Sequence, residues 1–233
     1  MRRLLVVLAA ASLIGVLLAP TAASAQKAHV FPPNAHPFGA SYGEWQARWF
    51  KWFIEIPAPA SPLFDETGAL CGTNQSGSVW FLAPVAHPGT TTRACTVPTG
   101  TGIFVQGLGN ECSNVEPPPF FGATEAELRA CAAAGLEEFF GDATTSITVD
   151  GVTVSGLDRY RTQTPVFSYT LPPDNLYGLP PATALAVSEG TAVLVKPLPP
   201  GVHSIVVHIV APTLGGTIDA VYNLTVVPRG HFG

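Results

Sequence analysis

Charged side chains are scarce in this sequence, and basic ones most of all. Asp, Glu, Lys and Arg make up 12% of the 233 residues, whereas an average globular protein has ~25%. Eleven basic residues stand against sixteen acidic ones, which gives a formal net charge of -5. Because phosphate backbones are bound by clustered Lys and Arg, this balance argues against a nucleic-acid-binding protein.

Several signatures of catalysis and cofactor binding are also missing. The chain contains no His-Glu-x-x-His zinc motif, no P-loop and no Gly-x-Gly-x-x-Gly dinucleotide motif. The six histidines are scattered. His203 and His208 are five residues apart on one predicted strand, so they should point to opposite faces. We therefore predict neither a metal site nor a cofactor, and we favour a non-catalytic protein over an enzyme.

The first 25 residues have the layout of a secretion signal. Arg2 and Arg3 precede an apolar run over residues 4–19, and residues 23–25 (Ala-Ser-Ala) form a small-x-small cleavage site. The run is shorter than the ~20 residues that span a bilayer, and no later run is long enough. We predict a signal peptide over 1–25, an extended lead-in over 26–40 and a single domain over 41–233, secreted or periplasmic.

The cysteines agree with export. An even number of cysteines in an exported chain predicts disulfides, here two. Four cysteines allow three pairings, and we favour the two that close short local loops. The sequence has no Cys-x-x-Cys pair, which disfavours a metal site. The predicted bonds are Cys71–Cys95 and Cys112–Cys131.

Two helices are predicted. The first runs over 41–56, where Ser41 and Glu44 form a capping box and a proline follows at 57. Its apolar arc, which includes three tryptophans, covers more than half of the circumference, so we favour packing in the core. A sugar-stacking platform and a membrane-surface helix are the alternatives. The second helix begins after Thr124 and ends at Gly141.

The rest of the chain reads as short strands separated by turns. The 23 glycines and 23 prolines make up about a fifth of the chain, and Asp150-Gly151 between two alternating segments predicts a type I′ hairpin. We therefore predict a mainly β fold, a β-sandwich of jelly-roll or immunoglobulin-like type, carrying the Trp-rich helix and one inserted helix. The predicted strands are 78–83, 93–97, 102–107, 146–149, 152–155, 159–170, 191–196, 203–210 and 220–227.

The order of these motifs resembles that of a family of small exported bacterial proteins for which no activity is established. The shared pattern comprises the Trp-rich helix from Tyr42 to Trp52, the segments 76–83 and 95–98, and later motifs at 149–152, 160–161, 199–203 and 222–226. The chain departs from the pattern at 104–106, which reads Phe-Val-Gln where a Phe-Phe-Pro-like strand is expected. The resemblance implies export and a shared fold, and it implies no chemistry.

Three segments offer candidate binding residues. Arg159 and Arg161 should share one face of a strand, with Tyr160 on the other, and two guanidinium groups can grip a carboxylate or sulfate. We favour ion pairing of these arginines to nearby acids such as Asp158, with binding of an anionic ligand as the other interpretation. Asp174 and Asn175 lie in a Pro-flanked loop, where they could bind calcium or simply form a turn.

A pair of glutamates has the chemistry of a glycosidase. Glu111 and Glu116 flank Cys112 in a Pro-rich segment, but nothing in the sequence fixes their separation. Because carboxylates in loops are usually solvated, we expect them not to form such a pair.

These features leave three functions open. We favour a non-catalytic module that binds a glycan or another extracellular polymer. A carbohydrate-active lyase or hydrolase is the first alternative, with Arg159 or Arg161 neutralising a substrate carboxylate. A structural or partner-binding protein of the cell envelope is the second, and it requires a large exposed apolar patch.

Overall fold

The computed structural model describes residues 28–231. The predicted signal peptide over 1–25 lies outside the described residues, so it stays a prediction. Within 28–231, no helix is long and apolar enough to cross a membrane.

Over residues 28–231 the fold is mainly β, with two five-stranded sheets and two α-helices, which confirms the predicted β-sandwich with two helices. In sheet A the order is β1-β3-β8, and both β6 and β7 pair with β8. Its strands are β1 (Val79–Phe81), β3 (Gly102–Ser113), β6 (Arg161–Gln163), β7 (Phe167–Thr170) and β8 (Thr183–Val195).

Sheet B has the order β2-β10-β9-β4-β5. Its β2–β10 pair is parallel, like β1–β3 in sheet A, and its other pairs are antiparallel. Buried and exposed residues alternate along β2, as expected when one face of a sheet packs on the core and the other faces water. The strands are β2 (Gly89–Pro98), β4 (Thr144–Val149), β5 (Val152–Thr153), β9 (Gly201–Ala211) and β10 (Gly216–Val227).

The central strands of sheet A are covered on both faces. In β3, five consecutive residues from Gly102 are buried, so the strand does not alternate. Helix α1 (Tyr42–Ile54) packs on one face, where Gln46 donates a hydrogen bond to Ser188 of β8. Helix α2 (Glu125–Phe140) packs on the other, where Leu128 and Ala132 contact Val187.

Both helices begin as their sequences predict. Ser41 and Glu44 form the capping box of α1, and Thr124 and Glu127 form that of α2. Gly141 is the C-cap residue of α2. The residues at the start of each helix are therefore sufficient to place its first turn. The backbone N–H groups of that turn have no acceptor within the helix and need nearby side-chain acceptors.

The tryptophans of α1 lie in the core, as we favoured from the sequence. Trp45, Trp49 and Trp52 are all buried. Each indole N–H donates to a backbone carbonyl, that of Pro37 (2.8 Å), Leu82 (2.8 Å) and Thr73 (3.0 Å) respectively. A buried indole needs such a partner, and these bonds tie α1 to three separate chain segments.

Two disulfide bonds have the predicted pairing, Cys71–Cys95 and Cys112–Cys131. The first joins the loop after α1 to β2, and the second joins β3 to α2. The predicted hairpin is also present: Asp150 and Gly151 both have positive φ, 48° and 77°, as a type I′ turn requires.

Strands β2 and β10 each begin four residues before their predicted starts, and β3 continues six residues past its predicted end. Two other strand predictions differ more. Residues 159–170 do not form one strand, because a 3-10 helix (Leu157–Tyr160) follows the left-handed Gly156, and Pro165 separates β6 from β7. Strand β8 begins at Thr183, eight residues before its predicted start, since its first half pairs with β7 and lies over α1 and α2.

Candidate functional site

A groove of about 470 Å³ runs along the exposed side of α1 and faces the loop 74–78. We call it the α1 groove. Aromatic rings form its floor and one end, while the helix and the loop form its two polar walls. Its lining residues are Phe38, Trp45, Arg48, Lys51, Trp52, Glu55, Asn74, Ser76, Gly77, Ser78 and Phe81.

The amphipathic pattern of α1 positions the first wall. Because the tryptophan face is buried, the narrow polar stripe of the helix points outward and carries Arg48, Lys51 and Glu55 at spacings of three and four residues. Lys51 donates to Glu55 at 2.5 Å, so these two charges pair within the stripe.

The opposite wall is held in place by partly buried hydrogen bonds, one of which comes from the helix. The Trp52 indole donates to the carbonyl of Thr73 at 3.0 Å. The Gln75 amide donates to the carbonyls of Cys71 (3.0 Å) and Phe81 (2.8 Å) and accepts from the Phe81 N–H (3.0 Å). Asn74, which lies between Thr73 and Gln75, and Ser76, which follows Gln75, are both exposed.

Arg48 is the distinctive charge of the groove. Its guanidinium carbon lies 4.4 Å from the centroid of the Trp45 ring, in a cation–π contact. Within residues 28–231, Arg48 forms no ion pair and no hydrogen bond, although Glu44 lies one turn away. A guanidinium stacked on a ring keeps its N–H edge free, and that edge matches a carboxylate or sulfate.

The groove thus combines three kinds of contact. Phe38 is 37% exposed and Phe81 is half-buried, so these rings offer apolar surface, whereas Trp45 and Trp52 are almost fully buried. Asn74, together with the serines of the loop, offers amide and hydroxyl groups. Such a surface can hold a flat polyhydroxylated molecule that bears a negative charge.

The residues predicted from the sequence line a different depression. Arg159, Tyr160 and Arg161 border a space of about 330 Å³ together with His36 and Tyr42. Arg159 and Arg161 do not share a strand face, because the first belongs to the 3-10 helix and the second opens β6.

Arg161 is occupied by ion pairs. It contacts Glu137 of α2 and Glu189 of β8, each at 2.6 Å. These acids come from α2 and β8, elements distant in sequence, and not from the neighbouring Asp158. The ion-pairing prediction therefore describes Arg161, while Arg159 is exposed and has no ion pair within residues 28–231.

Tyr160 is buried and structural. Its hydroxyl donates to the carbonyl of Phe31 at 3.1 Å, and the hydroxyl of Tyr42 donates to the same oxygen at 2.8 Å. Burial raises the pKa of Tyr160 above its ordinary value, so the phenol keeps its proton at neutral pH. These two tyrosines hold the lead-in segment against the domain.

The same depression contains a motif that sequence reasoning missed. Residues 39–43 read Gly-Ala-Ser-Tyr-Gly, which matches the Gly-x-Ser-x-Gly pattern of serine hydrolases. Ser41, however, is the N-cap of α1 and donates to Glu44 at 2.8 Å. No strand leads into it and no histidine is bonded to it within the described chain, so the match is a helix cap.

Asp174 and Asn175 belong to a loop that is stabilised from within. The Asn175 amide donates to the carbonyls of Pro172 (2.8 Å) and Leu179 (2.7 Å) and accepts from the N–H of Tyr177. Asp174 is exposed. Within residues 28–231, no three His, Cys, Asp or Glu side chains are grouped to hold a metal ion.

Glu111 and Glu116 contradict our expectation that they are solvated. Glu111 lies on β3 and is 7% exposed, and Glu116 in the following turn is 8% exposed. Burial, followed by the charge of Glu116, raises the pKa of Glu111 well above its ordinary value, and burial raises that of Glu116. Because both carboxyl groups are buried, a polymeric substrate cannot reach them.

The chain is thus a disulfide-bonded β-sandwich with an aromatic groove on one helix. No protein-family model and no curated protein matches it. Among solved structures, it is similar to one titled "Structure of PbICP-C in complex with falcipain-2". The two share 10% identity and a TM-score of 0.25 over 65% of this chain and all of that one. A similarity of this size supports no conclusion about fold or function.

Proposed function

We propose that the protein is exported and acts as a non-catalytic binding module for an extracellular glycan that carries carboxylate or sulfate groups. The glycan lies in the α1 groove. The observation that carries the proposal is the guanidinium of Arg48, stacked on Trp45 and without an acidic partner in the described chain.

The composition of the groove supports a saccharide over other anions. A small inorganic anion needs only charge, whereas this groove adds aromatic surface and a row of uncharged polar groups on the facing loop. Sugar rings present apolar C–H faces and hydroxyl groups together, which match these two walls. The two disulfides suit the oxidising environment in which extracellular proteins fold.

The experiment uses a matched pair of ligands. Oligogalacturonate and its fully methyl-esterified form have the same sugar backbone and differ in charge, so calorimetric titration of both isolates the contribution of a carboxylate. We expect the acidic form to bind more tightly, by up to about fivefold, because an ion pair with an exposed guanidinium contributes about 0.2–1 kcal/mol. The preference should shrink as salt is added.

Two variants locate the site. Arg48→Gln should abolish the preference for the acidic ligand, while Arg159→Gln, a matched change in the other depression, should leave it unchanged. If Arg159→Gln weakens binding and Arg48→Gln does not, the sequence-predicted residues form the site. Failure of the wild-type protein to bind either ligand, or any acidic polysaccharide in a depletion assay, overturns the proposal.

A carbohydrate-active enzyme is the second candidate, and one observation favours it. His36, Arg159 and Tyr160 line a single depression, which brings together the residue types that the lyase hypothesis names. The same depletion assay, read for newly released saccharide ends, tests it. Products that disappear in Arg159→Gln would establish the enzyme; the raised pKa of Tyr160 leads us to expect none.

The envelope-partner alternative loses its main support in this fold. It required the tryptophan face of α1 to be open, and Trp45, Trp49 and Trp52 are buried.

A further inference from the structure

A second cavity, of about 300 Å³, lies on a different side of α1 from the groove. It is bounded by α1, by the inner face of sheet B and by an irregular part of β3. Ala86 at its rim is exposed, and Phe53, Val85 and Phe140 are half-buried, so the cavity opens to solvent. Its lining residues are Trp49, Phe50, Phe53, Pro84, Val85, Ala86, Gln106, Gly107, Leu108, Gly109, Phe140, Val207, Ile209, Ile218, Ala220 and Tyr222.

One polar side chain interrupts this apolar lining. Gln106 is only 7% exposed, and its amide nitrogen donates to the carbonyl of Leu108 at 2.9 Å. That bond fixes the orientation of the amide, because a flipped amide would set two oxygens against each other. The oxygen Oε1 is buried and has no hydrogen-bond partner within the described chain. A buried acceptor left in this state is costly unless something donates to it.

The backbone is shaped to accommodate this amide. The pairing of β3 with β8 shifts between Gln106 and Gly109, which forms a bulge at the cavity wall. A Cβ atom at Gly109 would lie 2.5 Å from the Gln106 amide nitrogen, and one at Gly190 would lie 2.8 Å from it. The two glycines therefore leave the space that the glutamine side chain fills.

We propose that this cavity binds a small, mostly apolar molecule that carries one hydrogen-bond donor, such as an alcohol. The apolar part lies among Trp49, Phe53 and the aliphatic residues of sheet B, and the donor bonds to Oε1 of Gln106. Ligand cavities typically have this volume and this combination of apolar walls with a few placed polar atoms. The site is separate from the α1 groove, so neither proposal depends on the other.

A pair of isomers tests the proposal. 1-Heptanol and hexyl methyl ether have the same formula, and only the alcohol has a donor. Calorimetric titration of the wild-type protein should show the alcohol binding about five- to tenfold more tightly, which is the effect of one buried hydrogen bond. Gln106→Leu keeps the size of the side chain and removes the acceptor, so it should abolish the preference while retaining binding of the ether.

Two further variants keep the test decisive. Gln106→Met repeats the removal of the acceptor with a flexible side chain, in case leucine disturbs the bulge. Ala220→Leu fills the cavity from β10 and should prevent binding of both isomers. Equal affinity for the two isomers in the wild-type protein, absence of binding, or binding that survives Ala220→Leu each overturns the proposal. Arg48→Gln should have no effect, which separates this test from that of the groove.

Discussion

The hydroxyl of Tyr177 donates a hydrogen bond to Oε2 of Glu111 across 3.1 Å, although 66 positions separate the two residues. Ser113 donates in the same way to Oε2 of Glu116 at 2.8 Å. Two acidic side chains are thus buried side by side, with neutral hydroxyl groups as their partners. Because ionising both would leave buried like charges together, the folded protein retains protons on this pair to higher pH than the unfolded chain does.

This pair should make the protein more stable as the pH falls from neutral towards 5. A carboxyl whose pKa is raised in the folded state binds its proton more tightly than the unfolded chain does. Stability therefore declines as the pH rises above the ordinary value of 4.5. Glu111→Gln should stabilise the protein at pH 7 by on the order of 1–3 kcal/mol and flatten this dependence. Urea denaturation at pH 5 and pH 7 measures the change in the free energy of unfolding between the two pH values. If Glu111→Gln shows the same change as the wild-type protein, the prediction is wrong.

Asp65 should have the opposite effect at lower pH. Its carboxylate is buried, which by itself raises the pKa, but it accepts hydrogen bonds from Leu70, Thr67 and Gly68, which outweigh burial and lower the pKa to about 2. The stability that these bonds contribute is present above the ordinary value of 3.8 and is lost as the pH falls through about 2. Asp65→Asn should cost about 2 kcal/mol at pH 7 and little near pH 2, measured by thermal unfolding. A loss that is equal at both pH values would exclude this mechanism.

Arg93 should be among the least replaceable side chains. It is 1% exposed, and its guanidinium donates to the carbonyls of Asp65 (2.6 Å), Ala83 (2.7 Å), Pro84 (3.1 Å) and Leu63 (3.2 Å). Arg93→Met leaves these acceptors without a donor and should destabilise the protein by about 3–5 kcal/mol, or prevent folding.

Lysine at 93 keeps the charge without the planar fork, so it should recover only part of the loss. The exposed Arg159→Met serves as the control and should change the free energy of unfolding by less than about 0.5 kcal/mol. Denaturant midpoints of the three variants measure these changes in stability. An Arg93→Met protein as stable as the wild type would contradict the prediction and indicate that water replaces the guanidinium.

Each disulfide should stabilise the fold by a similar amount. The bonds close loops with sequence separations of 24 and 19 residues. The loop-entropy model assigns each on the order of 3 kcal/mol. The paired replacements Cys71→Ala/Cys95→Ala and Cys112→Ala/Cys131→Ala should lower stability by about that value in guanidinium titrations. Intact mass after alkylation without reductant checks that both bonds form, and four modified thiols would contradict their presence.

Local signals in the sequence were read correctly where a few neighbouring residues decide the structure. Capping boxes at Ser41 and Thr124 and the turn at Asp150-Gly151 depend on side chains and backbone angles within four residues. Cysteine pairing followed from the preference for short loops. The strand predicted over 159–170 is an exception, since the 3-10 helix that follows Gly156 and the break at Pro165 are local features that the prediction overlooked. The early part of β8 was missed because its pairing with β7 is a tertiary feature.

By itself, the sequence determined the mainly β class, the two helices and the two disulfides, since periodicity, caps and loop lengths act over short distances. Which charges remain free was decided only by the tertiary structure. Arg161 is neutralised by acids from α2 and β8, whereas Arg48, on the outward stripe of α1, forms no ion pair within residues 28–231. Folding likewise buried Glu111 beside Glu116 and enclosed the Gln106 oxygen, which has no hydrogen-bond partner in the described part of the chain. These relationships join residues far apart in the chain, and no local pattern encodes the distance between them.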